Sequence, residues 1–222
     1  MNALPRLIAR AMLLLTLSAC GDGQPAKSKP VADTATTRTI AGPTGTPIRS
    51  PDSYRVRFET SKGPFVIDVK RDLAPLGSDR FHELVSIGYF TDVRFFRIVP
   101  GFIVQFGMHG DPAVHKVWEA ATLPDDPIRT RNTRGTVAFA ASGPNSRATQ
   151  LFISTGDNRA KLDRQRLFSP FGTVVEGMDV VEKLYAEYGE EPNHARIARL
   201  GNPYLASWYP NLDYITSATV LK

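Results

Sequence analysis

Most residue types that carry chemistry lie scattered along this 222-residue chain. The four histidines, His82, His109, His115 and His194, show no HExxH spacing. Cys20 is the single cysteine, which excludes an intramolecular disulfide framework and any multi-thiolate metal site. Neither a zinc nor a haem site is therefore expected. Asp125-Asp126, between Pro124 and Pro127, reads as a solvated acidic loop. Gly143-Pro144-Asn145 lacks the spacing of a phosphate loop and reads as a turn. What remains is Arg97, in the run Phe95-Phe-Arg-Ile-Val-Pro-Gly-Phe-Ile-Val-Gln105, with a second glutamine at Gln150. A guanidinium offers five N–H donors in a fixed fork and keeps its charge at any working pH. Held beside apolar residues, it can stabilise a polar group whose charge shifts during a reaction. By type alone an arginine is as readily a surface residue, so the elements around it must decide.

Those elements begin after a leader. Residues 1–19 combine a basic start (Arg6, Arg10), an apolar stretch at 11–17 and small residues, the pattern of a secretory signal. Leu17-Ser18-Ala19-Cys20 resembles the lipobox of bacterial lipoproteins, which implies acylation of Cys20 and a location in the bacterial cell envelope, anchored by lipid and facing the periplasm. Residues 20–53 are expected to be a disordered tether. Of the 33 residues from Gly21 to Ser53, 18 are Gly, Pro, Ser or Thr and none is aromatic, too little apolar surface to offset the entropy of ordering. The net charge of +5, two units of it from Arg6 and Arg10, is too small and dispersed to argue for nucleic acid.

Residues 54–222 are the length of one domain. Alternating apolar positions predict a hairpin at 54–60 and 65–69, and short strands at 93–98, 103–106, 135–140, 150–154, 172–175 and 213–221. Phe81, Leu84 and Val85 share one face of a helix predicted over 77–87 with Ser78 as cap. Val181, Leu184, Tyr185 and Tyr188 form the stripe of a second, at 178–188. Residues 190–212 are expected to wrap the strands, with Trp208 covering apolar surface. The class is mainly β, a closed antiparallel barrel capped by two α-helices.

Four blocks narrow this class. They are the run from Phe95 to Gln105, Gly135-Thr-Val-Ala-Phe-Ala-Ala-Ser-Gly-Pro-Asn145, Thr149-Gln-Leu-Phe-Ile-Ser154, and Leu162-Asp163 leading into Phe171-Gly-Thr-Val-Val-Glu-Gly-Met-Asp-Val-Val181. In order and spacing they resemble the cyclophilin family of peptidyl-prolyl cis/trans isomerases, over residues 54–189. The resemblance implies an eight-stranded antiparallel barrel with two helices. It also implies Arg97 as the catalytic residue and a substrate pocket of Phe102, Ile103, Gln105, Ala140, Ala141, Gln150, Phe152, Leu162 and Phe168, while Phe139 and Phe171 belong to the core. The chain departs from the family's common pattern at Phe96 (often His), Phe106 (often Gly), Ala141 (often Asn) and Lys161 (often Trp in eukaryotic members). Its loop at 164–168 is about two residues longer. These changes bear on peptide preference and cyclosporin affinity, not on the arginine.

The chemistry so implied makes and breaks no covalent bond, so it calls for no nucleophile, metal or cofactor. An X–Pro amide rotates over a barrier of roughly 18–20 kcal/mol because its resonance must be lost. A surface that fits the twisted amide better than either planar isomer lowers that barrier. On this reading the neutral amides of Gln105 and Gln150 orient Arg97 without cancelling its charge. The expected function is isomerisation at X–Pro bonds of exported proteins by a monomer, with proline-containing polypeptides as partners. Two alternatives stay open: a non-catalytic proline-peptide chaperone using the same groove, favoured by Lys161, Ala141 and the longer loop, and an envelope scaffold that binds no peptide.

Overall fold

A computed structural model describes residues 40–43 and 48–221. The expected leader, Cys20 and the tether up to residue 39 lie outside the described residues.

The first hairpin follows its alternation. Strand β1 (Ser53–Thr60) turns Tyr54, Val56 and Phe58 inward and pairs with β2 (Phe65–Lys70), setting Phe58 opposite Phe65 with their rings stacked at 4.9 Å. Helix α1 (Pro75–Ser86) buries Phe81, Leu84 and Val85. It starts two residues earlier than expected, and Ser78 does not cap it. Asp126 does so from across the fold, its carboxylate accepting from Leu76 N at 3.0 Å and Gly77 N at 2.8 Å. Asp126 is therefore no solvated loop residue. It is buried, and Arg147, also buried, donates to it at 2.9 Å. Described residues before 54 also make contacts with the domain: Ile40 packs on the core, Trp118 Nε1 donates to Ala41 O, and Ser50 donates to Asp79.

The remaining strands are β3 (Arg97–Val99), β4 (Ile103–Phe106), β5 (Thr136–Phe139), β6 (Leu151–Ser154), β7 (Pro170–Glu176) and β8 (Ile215–Leu221). All pairings are antiparallel, in the order β3-β4-β6-β5-β7-β2-β1-β8, and the sheet curls into a half-barrel. The expected closed barrel is corrected: no ladder joins β3 to β8. β3 has only three residues, and the stretch before it contains Asp92 at φ 59°, so the gap is crossed by one isolated bridge, Arg94 to Tyr214, and a few backbone bonds such as Phe95 N to Asp213 O.

Two capping helices also prove too few. Besides α1 there are α2 (Pro112–Glu119), α3 (Arg159–Leu162), α4 (Met178–Glu182) and α5 (His194–Trp208) among the described residues. α4 occupies only the start of the predicted 178–188 helix, because the backbone N–H of Tyr185 is taken by the Asp213 carboxylate at 2.8 Å. In α5, Gly201 sits at φ 61° and kinks the axis, with Pro203 just beyond. Its inner face joins Phe96, Met108, Ile197, Tyr204, Leu205 and Leu212 into a second apolar cluster. Trp208 covers nothing: it is 66% exposed, with the Arg196 guanidinium near its ring.

Candidate active site

Strand periodicity builds the site. In β4, Val104 and Phe106 enter the main core, so Ile103 and Gln105 emerge on the opposite face. The same alternation sends Phe152 of β6 and Ala138 of β5 outward while Ile153, Val137 and Phe139 go inward. Register then aligns Arg97, Gln105, Phe152 and Ala138 as successive cross-strand neighbours on one face. Pro100 and Gly101 turn the chain between β3 and β4, and Phe102 follows, its carbonyl held by Thr155 N and Asn158 Nδ2, each at 2.8 Å. Gly107 ends β4 where a Cβ would lie 2.3 Å from Thr149 O, an approach that seats Gln150 against Gln105.

These residues line a cleft of about 410 Å³. Every residue expected there is present: Arg97, Phe102, Ile103, Gln105, Ala140, Ala141, Gln150, Phe152, Leu162 and Phe168. Ile103, Phe152 and Leu162 form its apolar floor over the buried Ala138, with Phe102, Ala140 and Phe168 packed against them. Phe168 meets Phe152 edge-on at 5.5 Å, and Asn132 Nδ2 pins its carbonyl at 3.1 Å, so the 164–168 loop forms a wall. Lys161 does not fill the cleft; its ammonium lies over the Phe102 ring, 4.9 Å from the centroid. Phe139 and Phe171 are fully buried in the core.

Of two residues that the sequence did not place in the site, one bonds the arginine and the other lines the cleft. Arg97 Nη1 donates to Gln105 Oε1 at 3.0 Å, and Gln105 Nε2 donates to Gln150 Oε1 at 2.9 Å, the neutral relay that was expected. Yet Arg97 Nε also donates to Glu190 Oε1 at 2.6 Å, and Nη2 touches the same oxygen. The idea that neutral amides alone orient Arg97 is thus corrected: a carboxylate shares the task. His194 lines the cleft beside it, edge-on to Phe96 at 5.0 Å. Burial, and then the Arg97 charge, hold its pKa below the ordinary histidine value, while Glu190 pulls the other way. No local motif announces either residue, because both come from a segment about 90 residues beyond β3. Glu119, Ser142, Ser146 and Thr149 extend the cleft past Ala141.

A family model described as "Cyclophilin type peptidyl-prolyl cis-trans isomerase/CLD" matches residues 55–202. A peptidyl-prolyl cis-trans isomerase of Acinetobacter baylyi is 32% identical over 133 residues, covering 58% of this chain and 70% of that protein. Peptidyl-prolyl cis-trans isomerase B of Escherichia coli is 31% identical over 135 residues, covering 58% and 82%. Among solved structures, a Cryptosporidium parvum cyclophilin type isomerase superposes with a TM-score of 0.56 at 18% identity over 77% of this chain and 98% of that one, a likeness of fold. The same protein has been solved in the presence of the dipeptide Ala-Pro. The match runs from the first hairpin through every strand that lines the cleft and into α5, and the chain belongs to the cyclophilin-type peptidyl-prolyl cis-trans isomerases.

Proposed function

We propose that this isomerase acts on X–Pro bonds of exported polypeptides, from a lipid anchor on Cys20 that faces it into the periplasm, with Arg97 as its catalytic residue. The observation that carries the proposal is the arginine's place, at the edge of an apolar cleft and held by side chains on two sides. The cleft floor of Ile103, Phe152 and Leu162 suits a pyrrolidine ring, which anchors one side of the amide while the other turns. As resonance is lost, the prolyl nitrogen becomes pyramidal and regains a lone pair. The bonds from Nε to Glu190 and from Nη1 to Gln105 leave Arg97 three of its five N–H groups, and one of these donates to that nitrogen or holds the adjoining carbonyl. Each 1.4 kcal/mol or so of preference for the twisted amide is worth tenfold in rate.

The envelope reading draws on the lipobox-like Leu17-Ser18-Ala19-Cys20 and on the Gly/Pro/Ser/Thr-rich stretch after it. Cys20→Ala is expected to move the protein from the membrane to the soluble fraction of the producing bacterium. Catalysis is tested by two-dimensional exchange NMR on an Ala-Pro peptide. Substoichiometric protein strengthens the cis–trans exchange peaks on this account. Binding without faster exchange is the outcome of the chaperone reading, and no binding that of a scaffold.

A further inference from the structure

Glu190 lies outside the four sequence blocks, yet the fold fixes it from both sides. The preceding residue, Gly189, accepts from Ile98 N at 3.1 Å, which ties the loop to β3 one residue from Arg97. The following residue, Glu191, accepts from Tyr209 Oη at 3.2 Å through its carbonyl, and its N–H bonds Tyr188 O at 2.9 Å. Tyr188, Tyr204 and Tyr209 pack edge to face, and with Ile197 and Leu205 they bind this loop and α5 to Phe96, the neighbour of Arg97 in sequence.

We propose that Glu190 is a positioning residue for Arg97, and that the segment carrying it and α5 is part of the catalytic apparatus. This rests on Arg97 being the catalytic group. A guanidinium on a flexible side chain held by one glutamine is free to swing about that contact. Nε donates to Glu190 and Nη1 to Gln105, so the plane is held at two of its three nitrogens and the remaining N–H groups keep one direction. The pair is not there for stability. The Glu190 side chain is 60% exposed and that of Arg97 26%, and ion pairs so open to solvent add little to folding.

The test compares Glu190→Ala, Glu190→Gln and Arg97→Ala in the full chain on a prolyl-peptide assay, with thermal unfolding alongside. Glu190→Ala is expected to lower kcat about tenfold, to change KM less than twofold and to leave the melting temperature in place. Glu190→Gln retains an oxygen acceptor and is expected to recover most of kcat. The Arg97 Nε–H signal in NMR is expected to exchange faster with solvent in Glu190→Ala than in wild type or Glu190→Gln. Wild-type kcat in Glu190→Ala while Arg97→Ala is slow overturns this inference alone. Equal losses of kcat and melting temperature in both Glu190 variants also overturn it, since that pattern marks a structural contact. Wild-type kcat in Arg97→Ala overturns the assignment of the site together with this inference.

Discussion

Arg97 and Gln105 stand directly opposite each other on β3 and β4, and the guanidinium donates to the amide oxygen across that pair at 3.0 Å. Because Gln105 also donates through Nε2 to Gln150, its amide has one orientation that serves both neighbours. A two-residue register thus shares with the Glu190 carboxylate the task of aiming a cation into an apolar cleft.

Replacing Gln105 with Leu keeps the bulk and removes both bonds. A hydrogen bond to a charged group is worth about 1.5–3 kcal/mol, so kcat/KM is expected to fall at least about tenfold. Gln105 lies off the main core, and circular dichroism is expected to show the wild-type fold. An unchanged rate would mean that the relay does not orient Arg97.

Asp126 is the structural counterpart of this relay. Its carboxylate holds two N–H groups of α1 and is paired to Arg147, both side chains being almost fully buried. Asp126→Ala leaves the buried Arg147 with only the looser Asp125 contact at 3.7 Å and leaves the helix uncapped, with an expected loss of about 3 kcal/mol in urea unfolding. The double variant Asp126→Asn with Arg147→Met is expected to recover part of that loss. A single variant as stable as the wild type would contradict the coupling.

Mild acid should weaken the fold through its histidines. Burial is the leading cause that lowers the pKa of His82, His109, His115 and His194 below the ordinary value. Above about pH 6.5 both folded and unfolded forms are neutral and the histidines contribute nothing. As pH falls below that value the unfolded chain takes up protons first, so stability declines until the folded pKa values are reached. The urea midpoint is expected to drop between pH 7.5 and 5.5, a window above the range of the carboxylates. His115, buried on α2 with no hydrogen bond to either ring nitrogen among the described residues, should contribute strongly, against the smaller opposing pull of Glu119. His115→Leu is expected to flatten the drop; equal midpoints at the two pH values in the wild type would refute it.

The cleft was legible where periodicity or a block of sequence reached it. Ile103 against Val104, and Phe152 against Ile153, separate by simple alternation once the strands are drawn. Long-range partners were not legible. Nothing near Glu190 says that its carboxylate will meet Arg97, 93 positions away, and nothing in Pro124–Pro127 says that Asp126 will cap α1. Gly201 and Pro203 hid α5, since they interrupt the period that would have revealed one helix. The barrel read as closed because eight strands in sequence do not state where a ladder stops. That depended on the shortness of β3 and the left-handed backbone at Asp92.

The most direct measurement is the prolyl-peptide isomerisation rate of the full chain with Arg97 replaced by Ala. With the fold retained, kcat/KM is expected to drop at least about tenfold, the value of one lost bond to the twisted amide. Turnover equal to the wild type would show that the cleft isomerises proline without its arginine, and the account would fail.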